Sequence, residues 1–214
     1  MALDSNAMLL LSQAKSHLGI TGAGEDSRIE DLIAEASTWM ESWAKRKLSI
    51  QTITEYQDGR AMNRILTREY PITGGPATGG KPEIFQDGDW VFDSTTRLDE
   101  EDYDVSEDGL TITLKNAFFS KGYRNIKITY EFGVGLVTTG TSTNTFPRDL
   151  QLCCKKLVEW LDLHRTNRRI GQRSKAKGGE SVSYELDMPL LCQRILEMYV
   201  REEFNAGNVG IRNQ

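Results

Sequence analysis

The 214-residue chain contains only two histidines, three cysteines and five prolines. The histidines, His17 and His164, have no cysteine near them in a ligand spacing, so a bound metal is not expected. Cys153 and Cys154 are adjacent and Cys192 is distant, which supplies no disulfide framework and reads more simply as three small core residues. An excess of positive charge is also missing. Twenty-six basic residues stand against 31 acidic ones, a net charge of −5, which argues against a general grip on DNA or on an anionic membrane. No apolar run approaches the roughly 18 residues of a membrane span. The early run Met8-Leu-Leu-Leu11 follows Asp4 and is too short for a secretory signal. No Gly-x-Ser-x-Gly elbow and no zinc-protease histidine pair occurs, and there is no internal repeat. The expectation is a soluble, non-enzymatic protein of a reducing compartment, without cofactor or membrane partner.

What is present is patterning. Apolar residues make up 38% of the chain, enough for a core in one large domain or a domain with an insertion. Helical periodicity occupies both ends. Ser12 is placed to cap a short helix to Leu18 that Gly19 closes. A stronger helix is expected over 27–46, with Ser27 and Glu30 in capping-box spacing and Ile29, Leu32, Ile33, Ala36, Trp39, Met40 and Trp43 on one face. The period changes at residue 49. Short strands are expected at 49–57, 64–67, 83–86, 90–92, 103–105, 110–114 and 125–132. Asp87-Gly88-Asp89 would join the third and fourth of these as a hairpin, and Asp108-Gly109 the fifth and sixth. Residues 133–144 read as a loop. Pro147 opens a helix over 147–165, residues 165–183 lose all periodicity and read as a mobile loop, and a last helix is expected over 188–204 with Asp187 as its cap and Pro189 in its first turn. The fold class is α+β: a helical bundle built by the N- and C-terminal helices, with a central antiparallel β insertion. The corresponding divisions are 1–48, 49–145, 146–204 and a tail over 205–214.

Three segments bear on chemistry. Gly75-Pro-Ala-Thr-Gly-Gly80-Lys81 follows the phosphate-loop pattern, but Pro82 replaces the hydroxyl residue that would hold Mg²⁺, and strands rather than a helix follow. It reads as a solvent-facing loop. Gly133-Val-Gly135 lacks the third glycine of a dinucleotide fingerprint. Asp99, Glu100, Glu101 and Asp102 begin an acidic tract that runs to Asp108. It lacks calcium-loop spacing, with Glu107 where the glycine belongs, and reads as a solvated hairpin edge. Its counterpart is a basic run, Arg165, Arg168, Arg169, Arg173, Lys175 and Lys177, with no acid among them. That run is either a solvated loop or a surface for sequence-independent contact with DNA phosphates. Acidic 99–108 of one copy facing basic 165–177 of the next would make a heterologous, ring-closing contact.

Taken together, the order of segments resembles the head–tail connector (adaptor, head-completion) family of tailed bacteriophages. The resemblance rests on Leu10-Leu-Ser-Gln-Ala-Lys15-Ser-His-Leu18-Gly-Ile20, on Glu25-Asp-Ser-Arg-Ile29 leading to Trp39 and Trp43, and on Ile50-Gln-Thr-Ile-Thr-Glu55. After the β insertion, Ile128-Thr-Tyr-Glu-Phe-Gly133-Val-Gly135 leads to Phe146-Pro147-Arg-Asp-Leu150 and a long helix to Trp160. The resemblance implies a virion protein assembled in the host cytoplasm. It implies a ring, usually of twelve copies, under the portal protein, extending the channel for packaged DNA and offering a platform to a stopper or tail protein. It also implies that the C-terminal segment, here with Phe204, Val209, Ile211 and Arg212, docks on the portal. Two other functions stay open on the residues alone. One is a sequence-independent DNA-binding structural protein using 165–177, and the other an enzyme using the acidic tract and a metal.

Overall fold

The computed structural model describes residues 6–76, 80–138, 141–166 and 188–200, and the backbone of 174–177 and 180–183. The fold is α+β, and the chain divides into two compact units, one made of 1–47 with 137–214 and one of 48–136.

The first unit is helical. Helix α1 (Leu11–Leu18) ends at Gly19 with φ 69°, the left-handed closure that a glycine makes without strain. Leu10, not Ser12, precedes its first turn, and the reach-back is made by Gln13, whose Oε1 accepts the Leu10 N–H at 3.1 Å. Helix α2 (Asp26–Ala44) starts one residue before the expected cap, with Glu25 in the cap position. Ser27 therefore lies inside the helix, while Lys15 holds Asp26 across from α1. Helix α3 (Arg148–Thr166) follows Pro147. Helix α4 (Leu190–Glu197) has Pro189 as its cap rather than in its first turn, and it ends at Glu197, well short of residue 204. Met198 and Tyr199 continue as a turn, and Asp187 lies outside the described residues.

The apolar stripes of these helices meet. Ile29, Leu32, Ile33, Ala36 and Met40 of α2, Leu150, Cys153, Cys154, Leu157 and Val158 of α3, and Cys192 and Leu196 of α4 are buried. Burial of this kind supplies most of the stability of short helices. The N-terminal strap is tied in by polar groups: the Met8 N–H donates to Ser37 Oγ at 3.1 Å, and Asn144 Nδ2 donates to the Met8 carbonyl at 3.0 Å. Residues 133–144, expected as a loop, contain a two-residue pair, β8 (Val137–Thr138) with β9 (Thr143–Asn144).

The second unit holds two antiparallel sheets. In the larger, β7 (Gly122–Phe132) is central; β1 (Gln51–Gly59) lies on one side, and β3 (Ile72–Gly74) and β4 (Glu83–Gln86) lie end to end on the other. The smaller has the order β2 (Arg64–Leu66), β6 (Thr111–Leu114), β5 (Tyr103–Val105). Alternation along β7 turns Ile126, Ile128, Tyr130 and Phe132 inward, where they join Ile65, Ile84, Tyr103, Ile112 and Phe119 in one core. The Asp108-Gly109 turn joins β5 to β6 as its sequence indicates, with Gly109 at φ 65°.

Two expectations in this unit are corrected. Residues 90–92 form no strand. The Asp87 carboxylate accepts the N–H groups of Asp89, Val91 and Phe92, which curls the chain into a loop instead of returning it as a hairpin. The partner of β4 is β7. Strand β3, right after Pro71, is too short for alternation to reveal it. In the first unit, 165–183 is also corrected. Residues 165–166 belong to α3, and β10 (Ser174–Lys177) pairs with β11 (Glu180–Ser183) as a hairpin.

Candidate functional site

The acidic tract begins just ahead of β5 and runs through it. Glu100 meets Arg97 at 3.3 Å, and Asp104 meets Lys81 at 3.0 Å and Lys115 at 3.4 Å. These bonds, that of Lys81 first, hold the Asp104 carboxyl below its usual range. Asp99, Glu101 and Asp102 are exposed, and among the described residues their carboxylates have no cationic partner.

Lys81, the lysine of the phosphate-loop pattern, is turned to the chain's own backbone and a carboxylate. Its ammonium donates to the carbonyls of Glu100 and Tyr103, both at 2.8 Å, as well as to Asp104. All three donors are thus committed to fastening the segment ahead of β5. Beneath this clamp the Tyr103 hydroxyl donates to the Pro82 carbonyl, and burial pushes its pKa up to about 12.

Of the basic run, Arg165 sits in the last turn of α3 and pairs with Glu35 of α2 at 3.2 Å. Lys175 and Lys177 are on β10, where the backbone alone is described. Arg168, Arg169 and Arg173 lie outside the described residues, as do Phe204, Val209, Ile211 and Arg212 of the C-terminal segment. Both histidines are engaged: His17 Nε2 is 3.1 Å from Glu159 Oε2, and His164 Nδ1 is 2.9 Å from the Trp160 carbonyl oxygen. Among the described residues no three His, Cys, Asp or Glu side chains converge, and no helix is long and apolar enough to cross a membrane.

The three cysteines share the helical core. The Cys192 thiol donates to the Cys153 carbonyl at 3.6 Å. Burial pushes the Cys154 thiol up to about 12, and Cys153 is raised too, first by its bond with Cys192 and then by burial. Neither is poised as a nucleophile.

One surface was not visible in the sequence. On the outward side of the larger sheet Tyr56, Lys127 and Phe85 stand in one row across β1, β7 and β4. The curled loop after β4 brings Phe92 against Tyr56, ring centroids 5.6 Å apart, and sets the Trp90 indole N–H on the Tyr123 carbonyl at 3.0 Å. The Arg124 guanidinium lies 5.3 Å from the Tyr56 ring centroid. Tyr56, Trp90, Phe92, Tyr123 and Arg124 line an open recess of ≈ 450 Å³. Trp90, Phe92 and Arg124 have φ of 60°, 47° and 46°. Side chains with a Cβ seldom adopt that region, and each instance costs about 1–3 kcal/mol. A second recess of ≈ 400 Å³ shares Tyr56 and runs along the open edges of β1 and β2 past Arg60, Met62, Arg64 and Phe119. The sequence signal for this surface was faint: Trp90-Val-Phe92 beside an Asp-Gly-Asp turn also fits a strand.

A model of the family described as "Head completion protein" matches residues 7–202. The chain belongs to the head completion protein family. The resemblance drawn from its segment order is therefore correct at family level. Solved structures share the fold over nearly its whole length. A chain of "Virion of native gene transfer agent (GTA) particle" is 13% identical with a TM-score of 0.57, covering 95% of this chain and 94% of that one. A chain of "Neck of empty GTA particle computed with C6 symmetry" is 14% identical with a TM-score of 0.56, and one of "Neck of native GTA particle computed with C12 symmetry" is 12% identical with a TM-score of 0.55. Each of these two alignments covers 95% of this chain and 97% of the other. No curated protein matches the chain in sequence.

Proposed function

We propose that this head completion protein is a non-catalytic neck subunit. About a dozen copies form a ring against the portal, extend the channel for packaged DNA, and give a stopper or tail protein its platform. The observation carrying this reading is the family match over residues 7–202. The likeness in fold to neck chains of particles computed with C12 and C6 symmetry supports the ring. A closed ring needs rigid wedges that contact their neighbours with two different surfaces. The helical unit, tied internally by Arg28 to Asp162 and by Arg165 to Glu35, is such a wedge. The net charge of −5 suits a channel wall past which DNA slides without adhering. The C-terminal segment with Phe204, Val209, Ile211 and Arg212 is the part assigned to the portal. The test is to image particles produced without this chain. DNA-filled heads that lack tails, restored when the chain is supplied, are the expected result; tailed, infectious or transducing particles would overturn the proposal.

A further inference from the structure

The aromatic recess and the open edges beside it are unexplained by the helical ring alone. Strands β1 and β2 are each the end of their sheet, and no ladder joins them. The gap is bridged by side chains instead: Gln57 Nε2 donates to the Leu66 carbonyl at 2.7 Å, and the Glu55 carboxylate accepts the Arg68 N–H at 3.2 Å. The groove left there exposes Tyr56 (44%), Met62 (56%), Trp90 (58%) and Tyr123 (68%). An apolar concentration of this kind, built on strained backbone, marks an interaction surface.

Charge identifies the occupant. The charged side chains lining the groove are Arg60, Arg64 and Arg124 against Asp58 alone. Asp58 is already accepting the Arg124 backbone N–H at 2.8 Å. The carboxylates of Asp87 and Asp93, on the loop that carries Trp90, are turned to the N–H and hydroxyl groups of their own loop. The three guanidiniums have no carboxylate partner among the described residues. The same unit holds the complement: Asp99, Glu101 and Asp102, exposed and, among the described residues, also without a cationic partner.

Topology places the two at opposite ends of the unit. The groove lies along β1 and β2. The acidic tract leads into β5, at the other end of the smaller sheet, and it follows Arg97 and Leu98, which run beside β4 on the far side of the larger one. One copy cannot fold its own tract into its own groove, but a row of copies can join groove to tract, head to tail. We propose that the cationic aromatic groove receives the acidic segment 99–102 of the neighbouring copy, so that the β units close the ring. This rests on the reading of the chain as a ring-forming subunit.

The experiment reverses charge on each side and then on both. Particles are purified from cells producing the wild type, Arg60→Glu with Arg124→Glu, Glu101→Lys with Asp102→Lys, or all four together, and the copies of this chain per portal are counted. Each two-residue reversal should lower incorporation about tenfold or more, since like charges are then juxtaposed. The fourfold variant should return to within about threefold of wild type. Thermal melts of the purified full chains show whether each variant folds, and the neutral pair Arg60→Gln with Arg124→Gln should give an intermediate loss. Undiminished incorporation of the reversed variants overturns the proposal. So does loss without rescue, which would give the groove to a different protein. Rescue of Glu101→Lys with Asp102→Lys by Arg168→Glu with Arg169→Glu would give the acidic tract to the basic run instead. Absence of the wild-type chain from particles would instead overturn the ring reading itself.

Discussion

Asn125 offers the sharpest test of how the β unit is held. It is buried on β7, 2% exposed, beside the point where the β1 register slips between Gln57 and Gly59. Its Oδ1 accepts the buried Gly59 N–H at 2.8 Å, and its Nδ2 donates to the Ser120 carbonyl at 2.9 Å and to Ser120 Oγ at 3.1 Å. The slip is closely packed: a Cβ at Gly59 would sit 1.7 Å from the Ser120 oxygen and 2.9 Å from Asn125 Oδ1. Asn125→Ala therefore leaves the Gly59 N–H buried and unpaired, and with the lost bonds to exposed Ser120 the cost is about 2–4 kcal/mol. Hydrogen exchange read peptide by peptide is the assay, because two units need not unfold as one. Amides of β1 and β7 should exchange about 30- to 900-fold faster, while α2 and α3 keep their rates. Ser120→Ala, losing only the hydroxyl bond at the surface, should change little. A loss below about 1 kcal/mol for Asn125→Ala, or one spread evenly over all elements, would refute the reasoning.

Lys81→Met removes the clamp on residues 100–104 and should lower the stability of the β unit by about 1 kcal/mol, discounted because the ammonium is partly in water; Mg-ATP should shift the melting temperature of neither protein. Glu55 is held above its ordinary pKa by burial, so its ionised form opposes folding. Glu55→Gln should be more stable than wild type at neutral pH, and the gain should fade as pH falls through the titration of Glu55, which denaturation curves at several pH values would show. Cys153, Cys154 and Cys192 should resist alkylation in the native protein at pH 8 and react once it is denatured; modification of the native chain would place them wrongly.

Much of the fold was legible because it rests on periodicity. Helices α2 and α3 carry long apolar stripes, and β7 alternates over its whole inward face, so their positions follow from the residues to within a few positions. Their ends did not, because caps depend on individual side chains rather than on period: Lys15 reaches Asp26 at the start of α2, and at α1 Gln13 takes the place expected of Ser12. Strand β3 has three residues and one neighbour, too little for any pattern. Residues 90–92 have strand-like composition, yet the Asp87 carboxylate and two positive φ angles take them out of the ladder. The candidate surfaces divide in the same way. The acidic tract is contiguous and visible in sequence. The groove is not, since it joins Tyr56, Trp90, Tyr123 and Arg124 only through strand register and a curled loop.

The central claim is that this head completion protein is a stoichiometric ring component of the neck, and counting tests it most directly. Quantitative mass spectrometry of purified DNA-filled particles should find this chain and the portal protein in near-equal numbers, around twelve of each, if the proposed ring is correct. Absence of the chain from such particles, or one or two copies per portal, would contradict the account.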